Sequence, residues 1–240
     1  MNSEIADKIR NLNYQFYQSF ADDFSETRQR LQPGVMGLLD HFKPGSNILD
    51  LGCGNGEVAK ELALKEFSGK YLGTDFSSNL LQWTSQINTG SFSADFIELD
   101  LSQPSWEQTL PEDCYDDILC FAALHHIPGY KNRLLVCKNI RKFMSGQGQF
   151  FHSNWQFLNS DRFKDRILPW DEVDISDKDV EAGDYLLDWR RGGMGKRYVH
   201  HFTENELEQL AKEGGFNIKE TFLSDGKEGN LSIYQVWEPA

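Results

Sequence analysis

Apolar residues along the chain recur in two periods. Ile5, Ile9, Leu12, Phe16 and Phe20 fall at spacings of 4, 3, 4 and 4, which puts them on one face of a helix. Pro-Gly pairs at 33–34 and 44–45 bracket a second, shorter helix over 35–42. Beyond it, short apolar runs alternate with helical stretches. Strands are expected at 47–51, 71–74, 95–99, 117–122 and 149–153, and helices at 57–65, 79–86 and 131–143, the last ended by an SGQG turn at 145–148. Alternation of this kind gives parallel βαβ units and a doubly wound sheet. The C-terminal part differs. Thr203 and Glu206 spell a capping box ahead of a helix over 204–212, which Gly214-Gly215 ends. Two further strands, 216–223 and 231–237, flank the hairpin signal SDGKEGN.

Residues 156–202 break this rhythm and read as an insertion between the fifth strand and the last helix. Its stretch 171–188 holds eight acidic residues and one lysine, whereas 189–201 (WRRGGMGKRYVHH) holds four basic residues and no acid. A loop-rich insertion of this length is more often functional than decorative. It is expected to fold over the strand ends as a substrate-side lid, within a single domain spanning 1–240 whose first 43 residues are helical.

Composition narrows the function. The chain of 240 residues carries 24 basic and 37 acidic side chains, a net charge of −13. That balance argues against generic binding of a phosphate backbone, yet leaves room for one local basic site. The four cysteines, Cys53, Cys114, Cys120 and Cys137, show no CxxC spacing, so neither a zinc site nor a disulfide framework is expected. The N-terminus lacks an apolar signal core, and the longest purely apolar run, 118–124, has seven residues, far short of a membrane span. A soluble protein of the reducing cytoplasm, with no membrane partner and no metal, is expected.

The chemistry concentrates after the first strand, in ILDLGCGNG. Gly52, Gly54 and Gly56 let the backbone turn tightly against a ligand. A dinucleotide site is the competing reading. Its pyrophosphate wants an uncharged glycine turn at a helix N-terminus, and here Asp50 stands two residues ahead of the first glycine. An acid at that place suits a cationic ligand. Asp75, in YLGTD, follows Gly56 by nineteen residues and suits two ribose hydroxyls. Asp100, in IELDL, stands at the end of the third strand and can accept from an adenine amine. Three acids at three successive strand ends are hard to obtain as ordinary loop residues.

Together with the fourth-strand stretch YDDILCFAALHH, these motifs resemble those of class I S-adenosylmethionine-dependent methyltransferases. The resemblance implies a seven-stranded Rossmann-like α/β sheet, mostly parallel with an antiparallel C-terminal hairpin strand and helices on both faces. It implies S-adenosyl-L-methionine as cofactor, with Gly52 and Gly54 touching it, Asp75 on the ribose, and Asp100 and the Leu101 backbone on the adenine. Three further stretches, FADDFSETR at 20–28, LHHI at 124–127 and RYVHHFTENEL followed by a GGF turn, resemble the tRNA wobble-uridine methyltransferases, which esterify the carboxylate of 5-carboxymethyluridine. Val199 stands where that family has the second tyrosine of Arg-Tyr-Tyr-His. In eukaryotes the family works with a small zinc-binding helper subunit.

Arg28 then pairs with the methionyl carboxylate of the cofactor, or else is a surface helix residue. A carboxylate acceptor needs no base but needs cationic or donor partners, for which Arg197, His125 and His200 are the candidates. A phenol or amine acceptor would instead favour His125 or His126 as base. The plainer reading of Arg197 pairs it with an acid of 171–188. Trp155, Trp170, Trp189 and Tyr198 either pack the insertion or stack a flat substrate. An RNA-modifying methyltransferase is the first expectation and a small-molecule O- or N-methyltransferase the second. A non-catalytic cofactor-binding subunit is third, disfavoured by the intact Asp50, Asp75 and Asp100.

Overall fold

A computed structural model describes residues 1–26, 30–90, 92–111 and 114–240. In chain order its helices are α1 (Ser3–Ser19), α2 (Ala21–Glu26), α3 (Pro33–Leu38), α4 (Glu57–Leu64), α5 (Ser78–Leu81), α6 (Tyr130–Phe143), α7 (Asp161–Lys164) and α8 (Glu204–Gly214). Its strands are β1 (Asn47–Leu51), β2 (Lys70–Asp75), β3 (Ser93–Glu98), β4 (Tyr115–Phe121), β5 (Met144–Trp155), β6 (Ile167–Leu168), β7 (Asp184–Trp189), β8 (Gly195–His200), β9 (Phe216–Ser224) and β10 (Ser232–Pro239).

Seven strands form one sheet in the order β3-β2-β1-β4-β5-β10-β9. β1 to β5 pair in parallel, and β10 runs antiparallel to both β5 and β9. The order reverses at β1/β4, so the ends of these strands open a crevice there. β1 and β4 read as continuous apolar runs because both faces of the sheet are covered. Leu49, Leu51, Ile118 and Cys120 face one core with α6 and α8, while Ile48 and Leu119 face the other with α3 and α4. Among the described residues no helix is long and apolar enough to cross a membrane.

The expected SGQG turn is absorbed into β5. Tyr115 pairs with Met144 and Asp117 already pairs with Gln149, so the segment between them bulges out of register. The helix expected over 79–86 is one α turn, α5, followed by a 3-10 stretch over Gln82–Gln86. The capping box before α8 is half made. Thr203 accepts from the Glu206 amide at 3.2 Å, but the Glu206 carboxylate turns instead to His200 and Arg133.

The insertion is more regular than its sequence suggested. It builds a second antiparallel sheet, β6-β7-β8. The apolar stripe of α1 packs on this sheet rather than on the main one. Ile9 is fully buried among Trp170, Ile175, Leu186 and Tyr198. Asn13 fixes the register by treating β8 as a neighbouring strand: its Oδ1 accepts from the Tyr198 amide at 2.7 Å and its Nδ2 donates to the Tyr198 carbonyl at 3.2 Å.

Candidate active site

The β1–α4 loop is tied to the end of β2. The amides of Gly52 and Cys53 both donate to the Thr74 carbonyl, at 2.7 and 2.8 Å. Gly52 has φ +85°, and a Cβ there would meet the Ala123 methyl at 2.7 Å. Gly54, at φ +59°, has nothing within 4 Å of its would-be Cβ and faces open space. Its amide donates to Asp75 Oδ2 at 2.9 Å, while Asp75 Oδ1 accepts from the Ser77 amide at the same distance. The Phe76 amide also acts on this carboxylate, which keeps lone-pair capacity for a ligand hydroxyl.

Asp50 is 2% exposed and accepts from the Tyr71 hydroxyl at 2.5 Å. Burial pushes both Asp50 and Asp75 up to about 6, against the pull of these hydrogen bonds. Asp100 is half-buried beyond β3 and forms an Asx turn, accepting from the Ser102 amide at 2.8 Å. With Leu101 it lines the same cavity as Asp50, Gly52, Gly54 and Asp75, a cavity of about 540 Å³. Arg28 lies outside the described residues.

The opposite wall comes from β4, β5, α1, α7 and the second sheet. β4 ends on Ala122 in a left-handed conformation, φ +52°, held by hydrogen bonds from its amide to the Ser153 carbonyl and hydroxyl, each at 3.1 Å. That turn presents His125 and His126 to the cavity, with ring centroids 4.3 Å apart. Their protonation is set oppositely. His125 Nδ1 accepts from the Trp155 amide at 3.4 Å. His126 Nδ1 faces the Tyr198 carbonyl at 3.0 Å and must carry its hydrogen, leaving Nε2 to accept from the Tyr17 hydroxyl at 2.8 Å.

Arg197 lines the cavity although it is only 8% exposed. Its guanidinium lies 4.9 Å from the Trp155 ring centre and 5.6 Å from those of Phe16 and Trp189. Among the described residues no carboxylate pairs with it, and its Nε has no hydrogen-bond partner. Four of the eight acids of 171–188 are engaged elsewhere. Glu172 holds Lys196, Glu181 holds Arg133, Asp184 holds His200 and Asp188 holds Arg190.

His200 requires a correction. It is not among the residues lining the cavity. It is 1% exposed, with Nδ1 2.7 Å from Asp184 Oδ1 and Nε2 2.8 Å from Glu206 Oε2. Burial opposes its charge, yet these two carboxylates prevail and hold its pKa above the usual histidine value. With both nitrogens taken, it belongs to the packing of β8 on α8. Trp170 and Tyr198 are likewise core residues, while Trp155 and Trp189 reach the cavity. Sequence reasoning passed over Tyr17, Arg162 and Arg166, which also line it. Tyr17 sits one position from the α1 stripe, and the two arginines lie in DRFKDR, where neighbouring acids conceal any basic signal.

A methyltransferase domain family matches residues 24–221. The chain belongs to that family. It is 25% identical to the "Probable tRNA methyltransferase 9B" of Bos taurus over 188 residues, which are 77% of this chain and 39% of that protein. The chain therefore spans about two fifths of that relative's length. It is 25% identical to the tRNA (carboxymethyluridine(34)-5-O)-methyltransferase of Schizosaccharomyces pombe over 221 residues, 86% of this chain and 89% of that one. Among solved structures, a SAM-dependent methyltransferase from Methanosarcina mazei superposes with a TM-score of 0.66 at 22% identity, covering 88% of this chain and 98% of the other. The seven-stranded fold with its antiparallel β10 is thus a methyltransferase fold.

Proposed function

We propose that the enzyme methylates a carboxylate, that of a 5-carboxymethyl-type modified uridine in tRNA, with S-adenosylmethionine as donor. The observation that carries this reading is Arg197. A buried guanidinium with no carboxylate partner is costly unless a ligand supplies the anion. An acceptor carboxylate does so, and the guanidinium fork holds it by two parallel bonds. The similarity to the fission-yeast enzyme points to the same acceptor.

The β1–β3 strand ends fit the cofactor on chemical grounds. Gly54 leaves room for a ligand against the loop, Asp75 keeps lone pairs for ribose hydroxyls, and Asp50 offers negative charge to a cationic methionyl group. Asp100 and Leu101 stand where the adenine would end, and Arg28 remains the candidate for the methionyl carboxylate. Bound there, the cofactor would supply a sulfonium methyl to a carboxylate oxygen, the C–S electron pair staying on sulfur, so that an ester and a thioether would result with no proton to move. Arg197 aims the carboxylate and the aromatic rings around it exclude water. His125, on the same wall, orients the acceptor beside it. The sheet β6-β7-β8 serves as the acceptor-side cover.

The test offers the purified enzyme and labelled cofactor to tRNA bearing 5-carboxymethyluridine, to the free nucleoside and to a panel of small carboxylic acids. Base-labile label in tRNA is the expected result. Label entering only small molecules would move the acceptor to that class, a reading that the net charge of −13 favours.

A further inference from the structure

We infer that Arg162 and Arg166 form a phosphate-binding step at the mouth of the cavity, which grips the RNA strand next to the acceptor nucleotide. The inference rests on the RNA-acceptor reading above and adds to it a site that the motifs do not contain.

The two arginines bracket one ring. The Arg162 guanidinium carbon lies 5.4 Å from the Phe163 ring centre, and that of Arg166 lies 5.7 Å from it. Both side chains line the cavity, and among the described residues neither is paired with a carboxylate. Of the neighbouring charges, Asp161 pairs with Lys164, and Asp165 is exposed to solvent. In a chain with 37 acidic side chains, two adjacent unpaired guanidinium groups on one lip stand out against the rest of the surface.

The arrangement also has a direction. Phe163 meets Trp155 edge to face, with centroids 4.7 Å apart, and Trp155 in turn lies under Arg197. The sequence Arg197, Trp155, Phe163, Arg162/Arg166 therefore runs from a buried cation, across two rings, to exposed or half-buried cations. A carboxylate at Arg197 and a phosphate at the lip would then sit at the two ends of one line of packed rings that fixes the spacing of the three cations. The lip is anchored, because the Arg166 carbonyl accepts from the Asp188 amide of β7 at 2.9 Å. A nucleoside fills the inner half of this track, and a phosphodiester is needed to fill the outer half.

The experiment compares the wild type with R162A/R166A and with R162K/R166K. The probe is a short RNA stem-loop carrying 5-carboxymethyluridine in its loop. Binding is followed by fluorescence anisotropy with S-adenosylhomocysteine present, and methylation of the same RNA and of the nucleoside is followed separately. The alanine pair is expected to weaken RNA binding about tenfold or more and to reduce the slope of log K against log salt by about 1 to 2. The loss should appear as a higher KM for RNA rather than a lower kcat, and should exceed the loss on the nucleoside. The lysine pair should recover part of the binding, since it keeps the charges and loses the forks. Unchanged RNA affinity and salt slope in the alanine pair, or a wild type that does not bind the RNA, overturns the inference. Loss of RNA binding without methylation of any carboxylate would support the phosphate step and sink the esterification reading, so the two fail separately.

Discussion

The two walls of the cavity carry opposite charge deficits and are built at opposite sequence ranges. On the β1–β2 wall, Asp50 and Asp75 are buried acids pushed up to about 6 by desolvation. They come from adjacent parallel strands and one short loop. On the facing wall, Arg197 is a buried cation that no carboxylate among the described residues pairs, and its surroundings come from α1 and the ends of β5 and β7. On the proposed reading, a cationic donor against the acids and an anionic acceptor against the arginine would cancel both deficits at once. The protein alone leaves both charges poorly compensated, which is the expected cost of a site pre-arranged for two charged ligands.

The largest expected effect on ligand binding lies on the acidic wall. Asp75→Ala removes the carboxylate proposed to hold the ribose and should weaken S-adenosylhomocysteine binding about 100-fold or more, read by titration calorimetry. RNA binding without cofactor should change little; an equal loss of both ligands would show that the walls do not act separately. Next comes Arg133→Met, behind the basic wall. Removing a cation that is 1% exposed and bonded to Glu181 and Glu206 should cost about 3 to 5 kcal/mol in denaturant unfolding. The folded fraction should still bind cofactor.

Arg197→Lys should lower single-turnover methyl transfer about tenfold, the cost of one charged hydrogen bond, while leaving cofactor affinity nearly unchanged. A full rate would remove Arg197 from the acceptor site. The smallest effect is that of pH. If Asp50 and Asp75 hold the cofactor as proposed, they do so ionised, and its affinity should level off above about pH 6. Below that it should fall about tenfold per unit for each carboxylate involved. Stability of the ligand-free protein has the opposite sign from these two groups. Their folded pKa values exceed the unfolded value, so their contribution is lost as pH rises from about 4 to 6. Affinity that is flat down to about pH 5 would show that neither carboxylate titrates against the cofactor.

The acidic wall was legible in the sequence because backbone geometry dictates it locally. A strand, a glycine turn and acids at successive strand ends are written within about fifty residues, and Asp50, Gly52, Gly54, Asp75 and Asp100 do line one cavity. The basic wall was legible only in part. Arg197 and His125 could be named, but nothing in KRYVHH distinguishes Arg197, left without a carboxylate, from His200, clasped by two of them. That difference is decided by Glu206 on α8, which forsakes its own cap for the histidine. The insertion was misjudged as irregular because β7 and β8 bury one face against α1, nearly two hundred residues away in sequence, and their own pattern does not reveal that partner.

Arg133 has a mechanical consequence. Its guanidinium donates to the Ile127 carbonyl, the Tyr198 hydroxyl, Glu181 and Glu206, and so rivets the segment after β4, the second sheet and α8 at one point. Along the same sheet Asn13 stitches α1 to β8. A plate riveted along two edges does not swing like a door. At the β7–β8 tip Met194 stands 94% exposed, while Gly193 and Gly195 beside it lie against Phe20. The plate should therefore keep its place over the cavity, with amide hydrogen exchange fast at Met194 and slow at Leu186 and Tyr198, whether the chamber is loaded or empty.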